Sequence, residues 1–86
     1  MSPYSIEIAH RAKKQIDGLP PDIKTRVGDV ILNEIALHPY EGKALKAKLE
    51  GLYSYRVGDY RIIYAVTKSH SIVQIIKVMH RREVYR

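Results

Sequence analysis

Arg56 and Arg61 stand either side of a Gly58-Asp59 dipeptide, in a stretch rich in Tyr, Ile and Val. Gly-Asp between two such runs is a two-residue hairpin signal. It predicts strands over 52–57 and 60–66, with Val57 opposite Tyr60 and Arg56 opposite Arg61. Directly opposed side chains on one sheet face have Cβ atoms about 4.5–5.5 Å apart, and like charges there repel. Either the two side chains splay into water, or the pair is held for an anion that relieves the repulsion. The guanidinium fork matches phosphate oxygens bidentately, so the anion such a pair suits best is a phosphate. A third strand is predicted over 72–79. Pairing centred on Ser69 would put Lys77 opposite Arg61 and extend the row of cations. Arg81 follows that strand at the parity of Lys77 and lengthens the row, with Arg82 beside it in a short basic tail.

Other side chains are candidates for the same site. Lys43, Lys46 and Lys48 lie in a polar stretch, 40–51, read as a loop; they either touch the backbone of a bound polyanion or are simply solvated. Of four histidines, His10, His38, His70 and His80, only His80 adjoins the arginines, as a proton donor or acceptor near neutral pH or as a plain surface residue. Tyr85 stands among arginines as a stacking platform, a proton-transfer group or an anchor for the tail. The histidines lack metal-ligand spacing and the chain has no cysteine, so no metal and no cofactor are expected. The glycines are isolated, which excludes a phosphate-cradling loop, and there is no nucleophile elbow.

The elements that must position these groups follow from periodicity. Tyr4, Ile6 and Ile8 alternate with polar residues and predict a strand over 4–8. Residues 9–17 read as a short helix with Ala12 and Ile16 four apart and Gly18 as its stop. Pro20-Pro21 opens a second helix, where Ile23, Val27, Val30, Ile31 and Ile35 form one apolar stripe up to His38. The predicted order is β-α-α-β-β-β: an α+β fold in which a helical hairpin packs on one face of a mostly antiparallel sheet. On the predicted strands Tyr53, Tyr55, Val57, Tyr60, Ile62, Tyr64 and Val66 share the face assigned to the core.

The 86 residues suffice for a single domain, 1–86. Charge is unevenly spread. Residues 1–42 hold five Lys/Arg and six Asp/Glu, a net −1, whereas residues 43–86 hold ten and three, a net +7. Such asymmetry suits an anionic partner, nucleic acid first and an acidic protein second. No apolar run approaches the ~18 residues of a membrane span. The first residues lack the basic-then-apolar pattern of a secretory signal, and the expected location is cytoplasmic.

The segment 52–64, LYSYRVGDYRIIY, followed by 78–85, VMHRREVY, resembles the RelE/ParE superfamily of toxins, and the order of elements resembles it over nearly the whole chain. The tail from His80 to Tyr85 is closer to the RelE type. The resemblance implies an endoribonuclease that cuts messenger RNA on the ribosome without a metal, using the substrate's 2′-hydroxyl against the adjacent phosphate. It implies phosphate binding by Arg61, neutralisation by Arg56, stabilisation of the transition state or proton donation by Arg81, and stacking or proton transfer by Tyr85. Ser54 stands where many relatives place another Lys or Arg, which leaves the general base among His80, Lys46 and Lys48. The implied partners are messenger RNA, the ribosome and a co-encoded antitoxin with a disordered acidic segment. Two alternatives stay open: a ParE-type inhibitor of DNA gyrase with no chemistry of its own, and a basic RNA-binding module.

Overall fold

The computed structural model describes residues 3–84. The predicted site residue Tyr85 lies outside them. Strand β1 (Ser5–Ile8) leads at once into helix α1 (His10–Asp17), which buries Ala12 and half-buries Ile16. Gly18 ends α1 by donating its N–H to the Lys14 carbonyl at 3.2 Å, with right-handed φ and ψ rather than the left-handed geometry common at helix ends. Pro21 occupies the first turn of α2 (Pro21–Val30), where its missing N–H costs nothing, and Asp22 sits at the positive end of the helix dipole. The chain then widens into one π-helical turn, Ile31–Ile35, before Pro39 forces His38 out of helical geometry. The wider turn keeps both Ile31 and Ile35 buried.

The sheet has five strands in the order β1-β5-β4-β3-β2, with β1 parallel to β5 and every other pair antiparallel. Strands β3 (Leu52–Val57), β4 (Tyr60–Thr67) and β5 (Ile72–His80) form the predicted meander. The hairpin register is as predicted: Val57 pairs with Tyr60 and Arg56 with Arg61. The stretch 40–51 differs from expectation. It contains a two-residue edge strand, β2 (Lys43–Ala44), paired Lys43 to Ser54 and Ala44 to Tyr53, and a 3₁₀ turn at Ala47–Leu49. So short an edge strand carries no apolar alternation of its own and exists only because β3 offers its edge.

The pairing of Lys77 also needs correction. Lys77 lies opposite Ile63, and Arg61 lies opposite Met79. Two features displace the register from one centred on Ser69. The β4–β5 connection spans residues 68–71, closed by Ser71 in the left-handed region (φ 52°). A bulge then leaves Ile76 without a partner between the pairs Tyr64–Ile75 and Ile63–Lys77. The extra residue inverts side-chain alternation in mid-strand. Val73 and Ile75 before it, and Val78 after it, all face inward and are buried, while Lys77 and Met79 face outward on the side of Arg61.

Both helices pack on one face of the sheet. Ala12, Val27, Ile31 and Ile35 meet Val57, Ile62, Tyr64, Val73, Ile75 and Val78, with Tyr53, Tyr55, Tyr60 and Val66 around the rim. Removing this apolar area from water is the main stabilising term, about 25 cal/mol per Å². The fold is the expected α+β class, with one more strand. No helix among the described residues is long and apolar enough to cross a membrane.

Candidate functional site

The face of the sheet away from the helices is open, and its geometry follows from the pairing just described. Strand alternation puts Arg56, Arg61 and Met79 in one cross-strand row, and Lys43, Ser54, Ile63 and Lys77 in the next. After β5 the chain turns into one helical turn, α3 (Arg81–Val84). The Arg81 N–H donates to the Asp59 carbonyl at 2.6 Å, which pins the start of α3 against the β3–β4 turn. Arg81 is thereby brought beside Arg56 and Arg61. These three arginines, with Gly58, Asp59 and Tyr60, line a cleft of about 150 Å³.

Each arginine is held differently. The Arg56 Nε–H donates to the Gly58 carbonyl at 3.1 Å, so its fork is anchored to the turn. Arg61 is half-buried and donates from Nη1 to the Ser54 Oγ at 3.4 Å. Ser54 is 3% exposed. It acts on Arg61 from beneath rather than presenting itself to a ligand in the cleft. Arg81 is exposed. The one ion pair among the described residues, Lys24 with Asp17 at 3.4 Å, lies between the helices; Asp59 lines the cleft, but no cleft arginine is in ion-pair contact with a carboxylate among those residues. Their charge is available to an anion.

Lys77 belongs to an adjoining groove of about 320 Å³, lined also by Lys43, Leu45, Leu49, Ser54, Ile63 and Met79, and sharing Arg61 with the cleft. Its floor is apolar and its rim cationic. Lys46 and Lys48 are exposed on the loop that supplies Leu45 and Leu49, and line neither the cleft nor the groove. The alternation Leu45, Lys46, Lys48, Leu49 was the sequence signal for this wall, hidden by reading the stretch as polar. The loop is held by Ala47 at φ 57°, in the left-handed region that costs a non-glycine residue free energy.

His80 pairs with Tyr60 and so faces the opposite side of the sheet from Arg61. Its ring stands edge-on to Tyr60, with centroids 5.0 Å apart. It also caps α3: the Arg82 N–H donates to Nδ1 at 3.1 Å, while the Glu83 carboxylate accepts the His80 N–H at 3.2 Å. This is the reciprocal pattern of a capping box, with histidine as the capping residue. His80, Arg82, Arg81 and Asp59 line a second, more open depression around the turn. Arg82 thus sits next to the cleft and not in it.

Position in the β2 region depends on Tyr64. Its hydroxyl donates to the Pro39 carbonyl at 2.7 Å, and burial pushes its pKa up to about 12. A Cβ at position 42 would collide with that hydroxyl, so Gly42 is required there by close approach rather than by backbone angle. Tyr53 stacks on Tyr64 with ring centroids 5.7 Å apart, and Tyr40 meets Tyr53 edge-on at the same separation. The chain entering β2, and with it Lys43, is fixed by this aromatic group.

Comparison with known proteins agrees with this architecture. Residues 6–85 match the family model described as ParE toxin of type II toxin–antitoxin system, parDE. The chain is 33% identical to toxin RelG of Mycobacterium tuberculosis over 98% of both chains, and 35% identical to toxin RelE of the same organism, over 98% of this chain and 88% of that one. Among solved structures it superposes on a chain of the toxin–antitoxin complex RelBE2 of M. tuberculosis with a TM-score of 0.88 and 33% identity, covering 94% of each chain. A chain of the archaeal RelE–RelB complex of Pyrococcus horikoshii gives a TM-score of 0.75 at 26% identity, with 94% of this chain and 97% of that one covered. The helical hairpin, the five-stranded sheet and near-complete coverage together lead to one assignment: this chain belongs to the RelE/ParE superfamily and is a RelE-like toxin of a type II toxin–antitoxin system.

Proposed function

We propose that this toxin is an endoribonuclease that cuts messenger RNA on the ribosome. The observation that carries the reading is the meeting of Arg56, Arg61 and Arg81 around one cleft, from β3, β4 and α3. In the proposed reaction the 2′-hydroxyl oxygen attacks the adjacent phosphorus and the bond to the 5′-oxygen of the next nucleotide breaks. A cyclic 2′,3′-phosphate and a 5′-hydroxyl result. The proton lost by the 2′-hydroxyl goes to a base, and the departing 5′-oxygen takes one from an acid. Negative charge grows on the phosphoryl oxygens along the way. Fixed guanidinium groups stabilise that charge more than they stabilise the ground state. Arg61, steadied by Ser54, holds the phosphate; Arg56 neutralises it; Arg81 faces the developing charge and Tyr85 serves the base or the proton transfer.

The geometry ranks the candidates for the remaining roles. His80 faces away from Arg61, and its Nδ1 is occupied by the Arg82 N–H, which disfavours it as the base. Lys46 and Lys48 fit better as contacts to the RNA backbone or the ribosome, beside Lys43, Lys77 and Arg82. With guanidinium groups supplying the charge stabilisation, cleavage is expected to need no metal ion in the cleft. Substrate positioning by the ribosome is an effective-concentration gain, and such a target puts the protein in the cytoplasm. An antitoxin with an acidic, partly apolar segment would suit the +7 half and the Leu45–Met79 groove.

The test is to map transcript 5′ ends shortly after induction, alongside cleavage by the purified toxin on intact ribosomes in Mg²⁺ buffer cleared of transition metals. New ends within coding regions are expected, and Arg61→Ala or Arg81→Ala should each lower the rate by about 10²–10³. Transcripts that stay intact would refute the reading. The match to a model built on ParE toxins favours one alternative, gyrase inhibition. In that case replication stops and a DNA-damage response follows while transcripts survive.

A further inference from the structure

A fourth guanidinium reaches the same turn from the other side of the sheet. Arg26 lies on α2, flanking the apolar stripe made by Ile23, Val27 and Val30, and its side chain is exposed. A Cβ built on Gly58 would stand 3.6 Å and 3.9 Å from its two terminal nitrogens. Gly58 lines the arginine cleft. The helices cover one face of the sheet and Arg56 and Arg61 occupy the other, so the β3–β4 turn carries cations on both of its sides. Among the described residues the five N–H donors of Arg26 meet no carboxylate within 4 Å and no side-chain or backbone acceptor, although Asp22 and Asp29 sit one helical turn away on α2.

We propose that Arg26 is a further phosphate-binding residue, which takes the backbone phosphate next to the one held in the cleft as the nucleic-acid strand passes over the Gly58-Asp59 turn. The inference rests on the reading of the cleft as a phosphate site and extends it to a second contact. A guanidinium offers a planar fork of donors that matches phosphate oxygens bidentately, and the fork of Arg26 is left open beside Gly58. Single-stranded nucleic acid offers phosphates at regular intervals, and each one neutralised releases counterions. Arg26 adds a positive charge to a turn whose cleft is already lined by three arginines, and a phosphate passing over Gly58 would meet that charge. A merely solvated Arg26 would screen the helix surface and have no effect on binding that any other surface cation lacks.

The experiment uses the full chain and a labelled 2′-deoxy oligonucleotide, which has no 2′-hydroxyl to attack, with fluorescence anisotropy between 50 and 200 mM salt. Arg26→Gln should lower the slope of log Kd against log salt by about 0.7 and weaken binding about fivefold near 0.1 M salt, as for one lost contact to a single strand. Arg26→Lys should retain most of the slope. Lys68→Gln, a cation at the far end of β4 from the turn, is the control and should change neither quantity. An Arg26→Gln slope equal to that of the unaltered toxin, while Arg56→Ala lowers it, would overturn the proposal. So would an equal loss in Lys68→Gln, which would reveal only the general field of the molecule. If transcripts stay intact but the Arg26→Gln slope still falls, the ribonuclease reading fails and the phosphate contact stands.

Discussion

Arg61 is the residue on which the cleft turns, because it is the one cation shared by the cleft and the groove and the one held by a buried hydroxyl. A hydrogen bond to a charged group contributes about 1.5 kcal/mol at the low end. Ser54→Ala should therefore slow cleavage by about tenfold, less than loss of Arg61 itself, with the melting temperature little changed. A Ser54→Ala rate equal to that of the unaltered toxin would show that Arg61 is positioned by the sheet alone. Tyr64 supplies a second prediction. Its pKa rises from 10 in the unfolded chain to about 12 in the folded one. The folded state thus keeps a proton that the unfolded state releases, so stability falls as pH climbs from 10 towards 12 and is unaffected by this group below 10. Denaturant unfolding over that interval measures the slope. Tyr64→Phe should flatten it, and should cost about 1–3 kcal/mol at neutral pH by leaving the Pro39 carbonyl unpaired.

At the scale of elements, the open edge of β5 is managed by a side chain. β1 pairs with β5 only as far as Ile75, which leaves the edge beyond it without a strand. There the Val78 N–H donates to Gln15 Oε1 of α1 at 2.8 Å. Gln15→Ala should destabilise the fold by about 1–3 kcal/mol, the cost of a buried donor with no partner, and should raise aggregation through the exposed edge. Chemical denaturation and light scattering read the two effects. The bulge at Ile76 has an equally specific role. A regular strand would put Lys77 on the side of Val73 and Ile75, in the core; the single extra residue lets one strand serve the core before it and the cationic face after it. The apolar pair Ile75-Ile76 is the trace of this in the sequence, but a doubled apolar residue reads equally well as part of a fully buried strand.

At the scale of the molecule, the division of charge acquires a geometric meaning. The near-neutral half supplies the helices that cover one sheet face and the edge strand β1; the half with +7 forms the other four strands, the cationic open face and the turn beside α3. Binding to RNA is predicted to be steeply salt-dependent, with affinity falling by more than tenfold between 50 and 200 mM salt if at least three phosphates are contacted. A salt-independent Kd would mean that the charge serves solubility only.

The chain's own pattern determined the two helices, four of the five strands, the Gly58-Asp59 turn and the facing of Arg56 on Arg61, because these follow from local periodicity and a two-residue loop that permits one register. Tertiary structure alone decided the rest. The edge strand at Lys43–Ala44 borrows its order from β3; the bulge at Ile76 answers to the need to bury Val78; Arg81 joins the cleft through a single backbone bond to Asp59; and His80 turns away from it to cap α3. Each of these depends on a partner distant in sequence, and a pairing between distant residues leaves no period in the chain from which it can be read.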